Sequence, residues 1–391
     1  MLAACLVVHI NIGSIFIWSL FKGPLVELFA WDPVDVSLTF SIMFGLFFAS
    51  SVAWGKIQDR IGPRWVAMLC GLCFGLTFIL ASRISSLPHL YATIGVLGGL
   101  GVGSGYVSAL SACLKWFPDK RGLVSGLILA GYGSGPVIFS GVADKLIRSC
   151  GILDTFMILG WLFGGCILVA AQFLKNPPPG YIPAGWVPGA EQQKTSGADY
   201  TSGEMVRTPQ FWLIGLSFFL GANTGIMVVS NLVDIAVDNG TGMAVAVMMV
   251  SLFALGNTCG RIFGGGASDR WGRAVVLRGI FCVQAASLVS VYVLSGVVVT
   301  VPLFCISLAW GGISSIFPAL TADYFGSRNL GGNYGLVLLL HGVGVMASPI
   351  LYDFLKGAGG IHPLLFCASL ACVGFCVTFI LRPPARGRAV G

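Results

Sequence analysis

Twelve apolar stretches, each near the ~20 residues that a helix needs to cross a hydrocarbon core, leave this chain one class of fold. They run Met1–Phe21, Val36–Trp54, Trp65–Ile84, Leu90–Trp116, Gly122–Val142, Ile152–Leu174, Phe211–Leu232, Met243–Phe263, Ala274–Leu294, Val298–Tyr324, Asn333–Leu355 and Pro363–Leu381. In lipid every backbone N–H and C=O must be satisfied within the chain, so each stretch is expected to form a transmembrane helix. Composition agrees: charged residues are 9% of the chain, against about a quarter in a soluble domain. Mean hydropathy is +0.89. The expected fold class is an all-α membrane protein. Its 12 cysteines fall mostly inside the stretches, Cys70 and Cys73 among them, where small core residues are expected rather than metal ligands.

The basic residues set an orientation. Sixteen of the 22 Lys and Arg follow even-numbered stretches, five follow odd-numbered ones, and Arg261 belongs to neither group. The positive-inside bias therefore puts both termini in the cytoplasm or its topological equivalent, and it accounts for the net charge of +7 without a nucleic-acid partner. The bilayer itself is the partner; plasma and organelle membranes are equally compatible. Met1 opens almost directly on the first stretch, which reads as a helix rather than a signal peptide.

Arg261 lies inside the apolar stretch Met243–Phe263. At 1.5 Å per residue, the eight positions to Asp269 place it about 12 Å from a charged helix end, near the middle of a core roughly 30 Å thick. A mid-membrane arginine normally faces a bundle interior and pairs with an anion there. No Asp or Glu sits at comparable depth, so the expected partner is a ligand anion, for which a planar guanidinium fork suits a carboxylate. The alternative is that Asn257, one turn back, and backbone carbonyls hold it.

The chain also repeats. Gly55-Lys-Ile-Gln-Asp59-Arg60-Ile-Gly62-Pro-Arg64 returns 210 positions later as Gly265-Gly-Ala-Ser-Asp269-Arg270-Trp-Gly272-Arg273. Trp116-Phe117-Pro-Asp119-Lys120-Arg121 returns, shifted by 208, as Tyr324-Phe325-Gly-Ser327-Arg328. An even number of helices separates the copies, so the repeat is parallel, with its axis along the membrane normal. The expected organisation is a six-helix bundle over 1–174, a polar, proline-rich cytoplasmic linker over 175–209 that includes Lys194 and Gly185-Trp-Val-Pro188, and a second bundle over 210–391.

These features resemble the major facilitator superfamily. That resemblance implies two pseudo-symmetric six-helix bundles and gives the repeated loop a role: Gly55, Asp59, Arg60, Gly62 and Arg64, with Asp269, Arg270 and Arg273, would latch helix ends in one access state. The plainer reading makes the basic residues topology determinants alone. Lys115-Trp-Phe-Pro-Asp-Lys-Arg-Gly122, Ala130-Gly-Tyr-Gly-Ser-Gly135 and Ser202-Gly-Glu-Met-Val-Arg-Thr-Pro-Gln-Phe-Trp212 are similar, more narrowly, to the oxalate/formate antiporter family and its monocarboxylate-transporter relatives. The family implies a substrate site with Arg261 as its helix-eight arginine and His341 where oxalate carriers place a lysine. Tyr106 and Trp310 keep the family's aromatics, whereas Phe16, Ser314 and Leu338 depart from it. Asn257 stands where monocarboxylate transporters carry an aspartate, and it cannot carry a proton. His341 then becomes the expected proton carrier if transport is proton-coupled. His9 and Asn11 are polar enough to line a cavity.

The expected function is secondary transport of small carboxylates by alternating access, as exchanger or proton-coupled carrier, with a monomer as functional unit. A carboxylate receptor without flux is the alternative. No cofactor is expected: the glycines of 98–105 match no nucleotide loop, and no paired carboxylates or nucleophile with its base suggest an enzyme.

Overall fold

A computed structural model describes residues 1–178, 180–183, 185, 199–358 and 361–384. Lys194, the 186–188 part of the linker motif and the C-terminal Arg386 and Arg388 lie outside the described residues. Those described form helices and turns with no strand.

Among the described residues, eleven helices are long and apolar enough to cross a membrane. The fifth, Arg121–Ala171, is two expected crossings joined in one ribbon: at Gly151 φ is 81°, a left-handed conformation that breaks the helix and that glycine adopts without a Cβ clash. Counting its two limbs gives α1 (Leu2–Phe29), α2 (Pro33–Ile61), α3 (Pro63–Ala81), α4 (Leu87–Trp116), α5 (121–150) and α6 (152–171). There follow α7 (Pro209–Ser230), α8 (Met243–Trp271), α9 (Arg273–Val293), α10 (Gly296–Phe325), α11 (Leu330–Ala358) and α12 (Pro363–Ile380). The twelve expected crossings are all present. Several run further than apolarity alone predicts, because backbone hydrogen bonding continues into the charged turns: α2 reaches Ile61 and α8 reaches Trp271, so Asp59, Asp269 and Arg270 are helical residues.

Local chemistry explains the ends. Asp32 caps α2, its carboxylate accepting the Val34 N–H at 2.6 Å, with Pro33 in the first turn, where a missing N–H costs nothing. Thr208-Pro209 and His362-Pro363 open α7 and α12 in the same way. Gly62 and Gly272 each turn the chain with φ of 90°, so the two copies of the repeat share their tight turn as well as their charges. A short helix, Ser202–Val206, stands in the linker region, closed by a reciprocal cap between Thr201 and Glu204. Those hydrogen bonds from Thr201 hold the Glu204 carboxyl below its usual range.

The chain divides into two compact units. Unit 1 comprises Met1–Trp116, Gly131–Pro183 and Arg328–Leu339; unit 2 comprises Phe117–Ala130, Ala184–Ser327 and Leu340–Gly391. Unit 1 is built on rings such as Phe21, Phe78 and Phe156, with centroids 5.0–6.2 Å apart. Inside each unit glycines let helices touch backbone to backbone. A Cβ at Gly101 would crowd the Phe74 backbone of α3, and one at Gly260 would overlap the Leu308 carbonyl of α10.

Candidate functional site

Arg261 sits where three helices of unit 2 meet. A Cβ at Gly126 of α5 would overlap the Arg261 carbonyl, and one at Gly311 of α10 would overlap the Asn257 carbonyl. This close approach leaves the side chain half-buried. Its Nε–H donates to Asn257 Oδ1 at 3.0 Å, and an Nη1–H donates to the Leu129 carbonyl. Both acceptors are uncharged, so these bonds orient the guanidinium without neutralising it.

The bond to Arg261 fixes the orientation of the Asn257 amide. Its oxygen must face the guanidinium, which turns Nδ2 away. That Nδ2 is buried without an acceptor, as is the indole Nε1 of Trp310. Trp310 packs over Gly225 of α7 and lies 6.1 Å from the Phe253 ring, which precedes Asn257 by one turn of α8. Buried donors are ordinarily paired. One neighbourhood therefore holds a permanent cation and two N–H groups suited to an acceptor-rich ligand.

His341, half-buried on α11, stacks face to face on Phe218 of α7 at 4.1 Å and 7°, and Phe218 stacks on Phe317 of α10 at 4.3 Å and 9°. The imidazole is within electrostatic reach of Arg261. Ser314 donates to the Trp310 carbonyl, one turn back on its own helix, at 3.2 Å.

Tyr106 belongs to unit 1. Its buried ring meets Phe47 and Tyr132 at 5.2 Å and His9 at 5.4 Å. Phe16 lies 5.1 Å from Tyr132, and Leu338 is buried in unit 1. Asn11 donates to the Val7 carbonyl at 2.7 Å.

The repeated loop forms two separate constellations. In unit 1 the Asp59 carboxylate accepts the N–H groups of Gly331 (3.2 Å) and Gly332 (2.8 Å) and pairs with Lys115 at 3.2 Å. An anion is thus placed on the first turn of α11, where orphan donors and the helix dipole favour it. Gly55 permits the approach, since a Cβ there would overlap the Gly331 carbonyl. In unit 2 Asp269 accepts from Gly122 and Leu123 at 2.8 Å each and so caps α5, while Gly265 gives way to the Gly122 carbonyl. Arg273 bridges Asp269 (2.6 Å) and Asp323 (2.9 Å), and Arg121 also holds Asp323 (2.7 Å). Arg60 and Arg270 are exposed, and Arg64 donates to Gln172. The sequence places Lys115 and Arg121 in a motif without pointing to their ion-pair partners, and it does not single out Asp323. The signal was present: Lys115 and Asp323 are equivalent under the 208-residue repeat, with opposite charge. Among the described residues no cluster of His, Cys, Asp and Glu could hold a metal ion.

Comparison with known proteins follows this geometry. A sequence profile described as Major Facilitator Superfamily matches residues 3–349. An uncharacterized MFS-type transporter of Escherichia coli K12, YhjX, is 32% identical over 354 residues, covering 88% of this chain and 84% of the relative. The oxalate:formate antiporter of Oxalobacter formigenes is 31% identical over 328 residues, covering 83% and 76%. Monocarboxylate transporter 2 of Meriones unguiculatus is 26% identical, covering 91% and 77%. Among solved structures, the superfamily transporter FucP in its outward conformation aligns with a TM-score of 0.77 at 14% identity, covering 98% of this chain and 99% of that one. The proton:xylose symporter XylE aligns at 0.70 and 12% identity, covering 97% and 94%. At such identities the structures speak for the fold alone.

Proposed function

The chain belongs to the Major Facilitator Superfamily, and on that premise we propose that it is a secondary carrier of small organic anions, monocarboxylates or short dicarboxylates. It works by alternating access, as an exchanger or with protons. The observation that carries this reading is the Arg261 group: a cation oriented by neutral acceptors, with Asn257 Nδ2 and Trp310 Nε1 buried nearby as donors without an acceptor. A carboxylate would take two guanidinium N–H bonds in parallel, the strong charge-assisted kind, and accept from one of the neutral donors. The relatives named for oxalate, formate and monocarboxylates point to the same substrate class. His341 and Tyr106 are assigned to the site on the family resemblance.

Asp59 with Lys115, and Asp269 with Arg273, act as latches that close when α11 and α5 present their first-turn N–H groups and open when the helices move. Both termini face the cytoplasm or its equivalent by the charge bias, the functional unit is a monomer, and residues 175–209 link two six-helix halves, 1–174 and 210–391.

The test is uptake of labelled formate, pyruvate, lactate, oxalate and malate into proteoliposomes holding purified protein. Saturable exchange of at least one carboxylate, lost in Arg261→Ala, is expected. Binding without flux would make the protein a receptor, and indifference to all five would remove the reading.

A further inference from the structure

Glycines strip the side chains from one seam of unit 2. Gly260 and Gly264 of α8 meet α10 backbone to backbone: a Cβ at the first would overlap the Leu308 carbonyl, and one at the second would lie 2.5 Å from the Gly312 Cα. Beside that seam α9 also lacks a side chain, at Gly279, where a Cβ would meet nothing within 4 Å. The result is a groove of about 370 Å³, floored by glycine and walled by apolar side chains such as Val275, Val283 and Leu308. Val275 and Val283 are exposed on a membrane-spanning helix, so the groove opens toward lipid. An apolar cavity stays dry, which leaves hydrocarbon as its occupant. From Gly260 to Trp271 the groove follows eleven positions of α8, about 16 Å at 1.5 Å per residue, and half a hydrocarbon core is about 15 Å thick. One acyl chain of a single leaflet matches that length.

The charged end of the groove narrows the class of lipid. Asp269, Arg273, Asp323 and Arg121 form a chain of ion pairs, two acids with two arginines, whose charges cancel. Arg270, next to Trp271, is exposed and makes no hydrogen bond or ion pair among the described residues. It is the unbalanced charge of the second repeated motif. An arginine at the membrane surface attracts an anionic headgroup, and its planar fork suits phosphate oxygens. Tryptophan settles at headgroup depth.

We infer that this groove is a binding site for one anionic phospholipid. An acyl chain lies along the glycine floor, and the phosphate pairs with Arg270 beside Trp271. The chain packs on the α8–α10 seam one residue away from Arg261, so occupancy braces the helix pair that positions the guanidinium.

Dioleoyl phosphatidylglycerol and dioleoyl phosphatidylcholine share their chains and phosphate but differ in net charge. Native mass spectrometry of the purified full chain, taken from micelles containing both, counts how much of each is retained. Wild-type protein should hold one phosphatidylglycerol with about fivefold preference, the factor that corresponds to one arginine at an anionic surface. Arg270→Gln should lose the preference. Gly279→Leu, whose side chain enters the groove without meeting other atoms, should lose the retained lipid. Arg60→Gln, at the equivalent position of the first motif, should keep the wild-type preference. No preference in the wild type, a preference that survives Arg270→Gln or vanishes in Arg60→Gln, or a lipid still held by Gly279→Leu overturns the proposal. Should a variant fail to fold, phosphatidylglycerol with a diazirine on its acyl chain decides the matter on wild-type protein. Photolysis should place adducts on 271–283 and 305–312, and adducts only elsewhere overturn the assignment.

Discussion

Asp59 and Asp269, 210 positions apart, make the same contact with different helices: each carboxylate accepts two successive first-turn N–H groups, of Gly331 and Gly332 or of Gly122 and Leu123. What surrounds them differs. Asp59 has one lysine, whereas Asp269 shares Arg273 with Asp323, which also holds Arg121.

That difference predicts unequal costs. Asp323→Asn leaves two largely buried arginines short of charge and should cost about 3–5 kcal/mol, as when one partner of a buried pair is removed. Asp59→Asn keeps an acceptor for α11 and deprives one buried cation, Lys115, of its anion rather than two, so it should cost less. Thermal unfolding in detergent gives the order, and a reversed order would show that the two constellations do not work as their geometry suggests.

Arg261→Lys keeps the charge but loses the planar fork, so carboxylate affinity should fall by about 1.5–3 kcal/mol. Arg261→Ala should fold and fail to bind. Calorimetric titration with pyruvate and oxalate measures both, and unchanged affinity in a folded Arg261→Ala would place the substrate elsewhere.

His341→Lys adds a second fixed positive charge near Arg261 and gives up the stack on Phe218. Uptake should shift from pyruvate toward oxalate. An unchanged ratio of the two rates would make His341 a packing residue.

Gly55→Ala forces a Cβ into the Gly331 carbonyl and should cost about 1–3 kcal/mol. Gly279→Ala, with nothing within 4 Å of its Cβ, should be neutral or stabilise by about 0.5–1 kcal/mol. Unfolding of the two variants side by side separates close approach from helix propensity.

His362 caps α12 through Nδ1, which accepts the Leu364 N–H at 3.2 Å, so the neutral ring is the capping form. Burial, aided by Lys356, holds this imidazole below the usual histidine range. The unfolded chain therefore binds the proton more readily. The cap contributes fully above the unfolded value of about 6.5 and is lost as pH falls through the lower folded value. His362→Asn, a capping residue that does not titrate, should lose less stability than wild type on going from roughly pH 8 to 5. Parallel unfolding curves would exclude the cap as the cause.

The helices were legible because lipid permits little else: runs such as Met243–Phe263 have one stable solution. Their ends were less so, since α8 continues through Asp269 and Arg270 by hydrogen bonds that hydropathy does not register. Arg261 stood out by its isolation. The donors beside it did not, because Trp310 reads as one more aromatic and Asn257 shows which way its amide faces only once Arg261 claims the oxygen. Lys115 was counted as a topology charge, and its pairing with Asp59 depends on where α11 begins.

The capping acids have a genetic corollary. The first half of the coding sequence supplies Asp59 for a helix encoded in the second, and the second supplies Asp269 for a helix encoded in the first. A protein severed in the linker would yield two fragments, each holding the other's missing cap. Synthesised alone, either would keep a carboxylate without its donors and a helix start without its acceptor, an incentive for reassembly written into both pieces.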